Sequence, residues 1–218
     1  MPTPTLHFTL AEFHRRIART RAAMQDRGID TLIVSDPSNM NWLTGYDGWS
    51  FYVHQHGVIT SLDPNVHPLL VEDRGNYINR LERMFRFADI IKLSDEDLVW
   101  LYPDMEMSAA FDHLISISSI GLRVLAKGAD GARACSGAAE IEAPAHPLRS
   151  LVDTVGAGDT FMASMLAWLV DHDISDAHAI HDLSSEELEA MVERAAKAAA
   201  LNCEKHGCNP PTREDLLS

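Results

Sequence analysis

A glycine-rich loop that leads directly into an apolar helical segment is the feature that most constrains this chain. Residues 153–159 read Asp-Thr-Val-Gly-Ala-Gly-Asp, and residues 160–170 after them are apolar enough to predict a buried helix. Two glycines let the backbone turn with its amides pointing one way, and a helix N-terminus adds unpaired N–H groups and roughly half a positive charge. The sequence therefore predicts an anion site of phosphate size at the start of this helix.

Asp159 closes this loop at the mouth of the predicted helix. A carboxylate there can accept the proton of a hydroxyl that attacks a bound phosphoryl group, which contributes about 10² to 10⁴ in rate. An isolated Gly-x-Gly before an apolar helix is more often a plain strand-to-helix turn. Because the whole loop pattern is present here, a phosphoryl-transfer site is the better interpretation.

The remainder of residues 57–218 alternates short apolar runs with helical patterns, which is typical of an α/β sheet. We predict strands over 58–62, 89–93, 122–126 and 132–135, and helices over 74–87, 95–101, 160–170 and 185–202. Residues 128–131 predict a tight turn. Residues 114–120 fit either kind of element.

Composition limits the classes of function. A chain that is 46% hydrophobic and 23% charged can bury a real core, and its net charge of -14 argues against nucleic acid or an anionic membrane as a partner. Three cysteines are too few for a disulfide scaffold, which favours a reducing compartment. No targeting segment or membrane-spanning run is evident, so we expect a cytoplasmic protein.

The charge is distributed unevenly and indicates two segments. Basic and acidic residues balance in residues 1–56, so the whole negative excess lies in residues 57–218. In the first segment Thr9 and Glu12 form a capping-box pattern before a helix that runs to about Asp26, and residues 31–34 predict a buried strand. We expect two domains, 1–56 and 57–218.

The second segment resembles a known family of enzymes. Asp-Thr-x-Gly-Ala-Gly-Asp resembles the signature of the pfkB-type, ribokinase-like carbohydrate kinases. Further runs resemble the fructokinase branch in the same order, at residues 61–65, 88–97, 128–131 and 209–212. The resemblance implies a three-layer α/β sheet of the ribokinase type, here incomplete, and ATP-dependent phosphorylation of a sugar hydroxyl.

The resemblance also implies roles for individual residues. Asp159 would be the catalytic base, and Gly128 matches the glycine of the nucleotide loop. The anion hole would be made by the amides of Gly156, Ala157 and Gly158. ATP and Mg²⁺ are the implied cofactors, with a monovalent cation as an additional one, and no residue is assigned as a direct metal ligand.

Three further residues each have two interpretations. Ser94 and Asp97 match a polar pair that helps to organise magnesium and phosphate, although a helix N-cap with an acidic first turn explains them equally well. Asn202 lies on the helix that resembles the adenine-side wall of the nucleotide site, although a surface or buried amide is the simpler interpretation.

Residues 1–56 resemble a different family, the N-terminal domain of the creatinase/prolidase proteins, especially ectoine-hydrolase-type members. The matching runs are residues 16–24, 28–40 and 42–50. Hydrolysis in that family belongs to a separate C-terminal domain, so no hydrolase activity is expected here. The kinase family's glycine-rich sugar-binding motifs have no counterpart in residues 1–56, so we expect the substrate half of the kinase site to be absent.

Two hypotheses of function therefore stay open. The first is a carbohydrate kinase of the fructokinase type, with its activity in doubt. The second is a catalytically silent fusion or rearranged chain that keeps only a remnant of the nucleotide site. An incomplete sheet exposes an edge, which predicts homodimerisation through it. Cys203, His206 and Cys208 are interpreted as helix-end residues rather than zinc ligands, since a structural zinc site needs four ligands.

Overall fold

The computed structural model describes residues 9–28, 59–119, 121–137 and 139–217. The chain divides into two compact units, Met1–Val53 and His54–Ser218. The domain limits at residues 56 and 57 stay a prediction. Among the described residues, no helix is both long and apolar enough to cross a membrane.

The described part of the first unit is one helix, α1, over Leu10–Asp26. Thr9 caps it as predicted, because its hydroxyl accepts the backbone N–H of Glu12 at 3.3 Å. The reciprocal half of the predicted capping box is replaced by ion pairs, since the Glu12 carboxylate accepts from Arg15 and Arg16 at 2.8 and 2.9 Å. These pairs lower the pKa of Glu12 to about 2. The strand predicted over 31–34 lies outside the described residues.

The second unit alternates helices and strands. Its strands are β1 (Ser61–Leu62), β2 (Ile90–Ser94), β3 (Leu122–Ala126), β4 (Ala132–Ser136) and β5 (Ala139–Ala143). Its helices are α2 (Arg74–Phe85), α3 (Asp95–Leu101), α4 (Met107–Ile117), α5 (Ala157–Asp171), α6 (Ala177–His181), α7 (Ser185–Cys203) and α8 (Arg213–Leu217). Short 3₁₀ turns lie at Pro68–Leu70 and Gly128–Asp130.

The five strands form one mixed sheet in the order β1-β2-β3-β4-β5. β1, β2 and β3 are parallel, with Ser61 opposite Ile90 and Ser94 opposite Ala126. β4 and β5 continue the sheet as antiparallel strands. The carboxyl ends of the three parallel strands therefore lie side by side at one edge, which is where α/β sheets place their ligand-binding loops.

Helices cover both faces of this sheet, as the expected three-layer α/β fold requires. On one face, Ile90, Leu122 and Val124 pack with the apolar sides of α5 and α7. Side chains alternate along a strand, so the fully buried Ile91 and Leu93 point to the opposite face, where α3 contacts β2. Lys92 shares the face of Ile90, which is the face that α5 covers.

Most predicted elements are confirmed within a few residues, and α3 is confirmed to the residue. The ambiguous segment 114–120 begins as the end of α4, a helix that starts seven residues earlier, at Met107. β5, α6 and α8 were not predicted from the sequence. β5 alternates exposed and partly buried residues at the outer edge of the sheet, so its apolar pattern is weak.

Candidate phosphate site

Gly156 sets the direction in which the chain enters α5. Its φ of 76° lies in the left-handed region, which favours glycine over residues that carry a side chain. A Cβ at this position would also collide with the side chain of Cys208. Both the backbone angle and the available space therefore require a glycine here, whatever the loop binds.

The first turn of α5 presents backbone N–H groups that have no internal acceptor. Within the described residues, no hydrogen-bond acceptor is recorded for the amides of Gly156, Gly158 and Asp159. The amide of Ala157 differs from the sequence expectation, because it already donates to the carbonyl oxygen of Thr154 at 3.1 Å. The donors left for an anion are those of the two glycines and Asp159.

Asp159 lies in this same first turn and is exposed to solvent. Its position joins a free carboxylate to the free amides at the positive end of α5. This combination can hold a tetrahedral anion and accept a proton beside it. The role of Asp159 as a base stays a prediction.

Asp153, at the other end of the loop, forms hydrogen bonds with two backbone amides of the protein. Its carboxylate accepts the backbone N–H of Val155 at 3.0 Å and of Gly207 at 2.9 Å. These hydrogen bonds hold the pKa of Asp153 below its ordinary value. Asp153 therefore fixes the glycine loop to the segment that follows α7.

Asn202 is a buried amide in the structure, which is the second of its two interpretations from the sequence. Its side chain has no exposed surface, its Nδ2 donates to the Val155 carbonyl at 2.8 Å, and its Oδ1 accepts the Asn209 N–H at 2.8 Å. Such a side chain has no accessible atom with which to touch a nucleotide. The direct nucleotide contact is thus corrected to a buried structural amide beneath the loop.

Ser94 and Asp97 form the capping box of α3. The Ser94 hydroxyl accepts the Asp97 N–H at 3.1 Å, and one Asp97 oxygen accepts the Ser94 N–H at 3.1 Å. The other oxygen accepts the Val66 N–H at 2.7 Å, and Asp97 is 7% exposed. Each Asp97 oxygen thus accepts one backbone N–H, so the pair orders the loops at the strand ends. Its role in organising magnesium and phosphate stays a prediction.

Gly128 lies two residues after the end of β3 and begins the 3₁₀ turn Gly128–Asp130. The last residue of β3, Ala126, is in register with Ser94. The predicted nucleotide loop therefore leaves the sheet beside the start of α3. Its contact with a nucleotide stays a prediction.

Two residues near the loop were not assigned as site residues from the sequence. Lys92, in β2, is 4% exposed, and its Nζ lies 2.7 Å from Oδ2 of Asp63, the residue after β1. A Cβ on Gly158 would lie 3.0 Å from the same Nζ. A signal was present, because a lysine inside an otherwise apolar strand needs a partner, but only the sheet register shows which partner it has.

The cluster of Cys203, His206 and Cys208 gives no metal site in the structure. Among the described residues, no group of three or more His, Cys, Asp or Glu side chains is arranged to hold a metal ion. The three cysteines of the chain are free thiols. Cys208 instead packs against Gly156, as described above.

An α/β sheet covered on both faces, with a glycine loop at the start of a buried helix, is the arrangement that many nucleotide- and phosphate-binding proteins share. The sequence model of the family described as "pfkB family carbohydrate kinase" matches residues 51–215, which is most of the chain. The chain therefore belongs to the pfkB family of carbohydrate kinases.

Two fructokinases illustrate the similarity in sequence. The fructokinase of Rhizobium leguminosarum bv. trifolii is 39% identical over 111 residues, which is 51% of this chain and 33% of that protein. The fructokinase of Klebsiella pneumoniae is 32% identical over 124 residues, 57% of this chain and 40% of that protein. The chain thus matches well under half the length of these relatives.

Solved structures confirm the ribokinase-like fold. The fructokinase of Xylella fastidiosa with bound ATP superposes with a TM-score of 0.66 at 24% identity, covering 83% of this chain and 54% of that chain. Aminoimidazole riboside kinase from Salmonella enterica, complexed with aminoimidazole riboside and an ATP analog, gives a TM-score of 0.56 at 21% identity. The match covers 69% of this chain and 47% of that chain.

The N-terminal stretch has a different relative. Ectoine hydrolase of Halomonas elongata is 63% identical over 51 residues, which is 23% of this chain and 13% of that protein. This match confirms the creatinase-like resemblance of the short N-terminal stretch.

Proposed function

We propose that this chain carries the phosphoryl-transfer half of a sugar kinase, which moves the terminal phosphoryl group of ATP to a sugar hydroxyl. One observation carries the proposal. The first turn of α5 combines amides without acceptors, those of Gly158 and Asp159, with the exposed carboxylate of Asp159. Phosphoryl transfer to a hydroxyl requires the protein to bind the phosphate anion and to accept the hydroxyl proton.

The chemistry follows from that arrangement. The sugar hydroxyl oxygen attacks the terminal phosphorus, the bond from this phosphorus to the bridging oxygen breaks, and ADP leaves. The hydroxyl proton goes to Asp159. The free amides at the start of α5 stabilise the negative charge on the phosphoryl oxygens during the transfer.

Similar solved structures support ATP as the donor. The Xylella fructokinase holds ATP, and a putative Ribokinase II from E. coli, with a TM-score of 0.53, is described in complex with ATP and Mg²⁺. Gly128, at the turn after β3, is the residue that we assign to the nucleotide loop. Ser94 and Asp97 are the pair that we assign to organising magnesium and phosphate, and their hydrogen bonds with backbone amides order the loops around them.

Fructose is the acceptor that the relatives favour, because both relatives of the kinase part described above are named fructokinases. The assay uses the full chain with Mg²⁺-ATP and a panel of fructose, ribose and aminoimidazole riboside. ADP release and the sugar phosphate product are both measured. We expect sugar-dependent ADP release that is fastest with fructose.

A binding measurement separates failure of the chemistry from failure of the site. A ligand at about 100 times its Kd stabilises a fold by about 2.7 kcal/mol, so Mg²⁺-ADP should raise the melting temperature clearly. Nucleotide-dependent stabilisation without turnover on any sugar would favour the silent chain with a nucleotide-site remnant. Absence of both stabilisation and turnover would contradict the proposed phosphate site itself.

A further inference from the structure

Lys92 is unusual in where it lies. Its neighbours in β2, Ile91 and Leu93, are fully buried, and Lys92 itself is 4% exposed. Lysine is almost never buried to this degree unless its ammonium is paired, because removing the charge from water costs several kcal/mol. The chain therefore keeps this cation inside the sheet against a considerable cost.

The pairing of Lys92 is incomplete. Its ammonium has three N–H donors, and within the described residues one acceptor is recorded, Oδ2 of Asp63 at 2.7 Å. The other carboxylate oxygen of Asp63, Oδ1, is buried without any hydrogen-bond partner. A pair whose role was only structural would be expected to satisfy more of these buried groups.

The surroundings of Lys92 explain where its remaining donors lie. If Gly158 carried a Cβ, the Lys92 Nζ would be 3.0 Å from it and would be the one atom of the described chain outside α5 within 4 Å. The ammonium therefore lies beside the first turn of α5. A cation at the positive end of a helix is repelled by the helix dipole, so this position becomes favourable when an anion lies between them.

Glycine at position 158 fits the same explanation. Gly158 is the second residue of α5 and lies in its first turn. Alanine would bring its Cβ against the Lys92 ammonium. The small residue therefore keeps open the approach between the ammonium and the first turn of α5.

The carboxylate that pairs with Lys92 is affected by two other negative charges. Burial raises the pKa of the Asp63 carboxyl, an effect that Lys92 opposes. The charges of Asp97 and Asp159 raise it further, so both carboxylates are close enough to act on Asp63. Lys92 is thus paired with a carboxylate on which two further carboxylates act, and it lowers the repulsion that Asp63 would exert on an incoming phosphate.

We propose that Lys92 is the buried cation of the phosphate site, held by Asp63 so that its free donors contact the phosphoryl oxygens bound at the first turn of α5. This inference rests on the proposed function. It identifies the ligand group of this site as the negatively charged terminal phosphate of a nucleotide. This phosphate binds between the Gly158 amide and the Lys92 ammonium. Lysine binds phosphate as a point charge, so no bidentate geometry is needed.

The test compares anion binding by the full chain and its variants, with ADP and inorganic phosphate as probes and a chelator to remove divalent metal. The variants are Lys92→Met, which keeps the length of the side chain, and Asp63→Asn, which removes the partner's charge. The matched control is Lys197→Met on α7, where the ammonium donates to the Leu216 carbonyl at 2.9 Å. Dissociation constants are measured by calorimetry, and the free energy of unfolding by urea denaturation.

Lys92→Met should weaken ADP and phosphate binding by about tenfold or more, the effect of losing a charge-assisted hydrogen bond. Asp63→Asn should weaken binding less than Lys92→Met does, because the cation stays although the carboxylate that positions it is lost. Lys197→Met should leave binding unchanged. Unchanged binding by Lys92→Met, or equal weakening by Lys92→Met and Asp63→Asn, would overturn the assignment and leave a structural ion pair.

The double variant Asp63→Asn/Lys92→Met covers the case in which Lys92→Met alone does not fold. Removing both charges leaves no unpaired ion, so this variant should regain stability. Weak ADP binding by the folded double variant supports the inference, and binding equal to that of the original chain overturns it. If the original chain binds neither probe, the proposed function and the role of Lys92 both fail. If the original chain binds and the variants without Lys92 bind equally well, only the role of Lys92 fails.

Discussion

The side-chain amide of Asn202 donates to the carbonyl oxygen of Val155 at 2.8 Å and has no exposed surface. Its oxygen accepts the backbone N–H of Asn209, also at 2.8 Å. One buried side chain therefore joins three segments: the glycine loop, the last turn of α7 and the chain that follows α7. The shape of the loop depends on contacts made more than forty residues further along the sequence.

Replacement of Asn202 by alanine should destabilise the protein and loosen the loop. The variant removes both hydrogen bonds, each worth about 0.5–1.5 kcal/mol, and leaves a cavity where the buried side chain lay. We expect the free energy of unfolding, from urea denaturation, to fall by at least about 2 kcal/mol. Asn209→Ala is the control, because Asn209 uses its backbone N–H and should lose little stability; equal losses in both variants would contradict the role of the buried amide.

Gly156 and Gly207 form a matched pair for separating backbone strain from collision. Both have positive φ angles, 76° and 66°, but a Cβ at Gly156 would strike Cys208, whereas a Cβ at Gly207 would meet nothing within 4 Å. Gly207→Ala should therefore cost only the left-handed backbone penalty of about 1–2 kcal/mol. Gly156→Ala should cost more and also weaken ADP binding, as measured by urea denaturation and calorimetry. Similar costs for the two variants would show that the Cys208 contact is unimportant.

The parts of the fold that local chemistry controls could be predicted from the sequence. α3 and the start of α7 were predicted accurately because Ser94 and Ser184 each form a capping box with an acidic residue three positions later. α4 begins at Met107, and its N-cap residue Glu106 makes no side-chain capping hydrogen bond, so its start gave no signal. β5 is an edge strand without a strong apolar alternation, and it is defined by pairing with β4.

The candidate site could be predicted in part for the same reason. The glycine loop and Asp159 are contiguous in the sequence, so their pattern identified them. Lys92 and Asp63 lie 29 positions apart and come together because β1 and β2 are parallel neighbours. Pairing across a sheet depends on register, which no local pattern of residues gives.

Asp153 should make the protein's stability depend on acid pH. Hydrogen bonds from the amides of Val155 and Gly207 hold the pKa of Asp153 below its ordinary value of 3.8. A carboxyl whose folded-state pKa is depressed stabilises the fold above its unfolded-state pKa, and this contribution is lost as the pH falls through the folded-state value. Asp153→Asn should therefore be less stable than the original chain at neutral pH.

Urea denaturation between neutral pH and about pH 2 checks this expectation. The difference in unfolding free energy between the original chain and Asp153→Asn should shrink as the pH falls below 3.8, where Asp153 becomes protonated. The exposed Asp104 supplies the control variant Asp104→Asn, which should follow the original chain. A difference that stays constant with pH would show that the charge of Asp153 does not stabilise the loop.

Asp159→Asn should separate binding from chemistry. Asparagine has nearly the same shape and leaves the amides of the first turn of α5 in place, but it cannot accept the hydroxyl proton. With the acceptor sugar that the original chain uses, kcat should fall by about 10² to 10⁴ or more, while ADP affinity stays the same or tightens because one negative charge near the phosphates is lost. Steady-state kinetics and calorimetry on the same preparation measure both quantities. Turnover equal to that of the original chain would remove Asp159 as the base, and a parallel loss of ADP affinity would indicate a damaged loop instead.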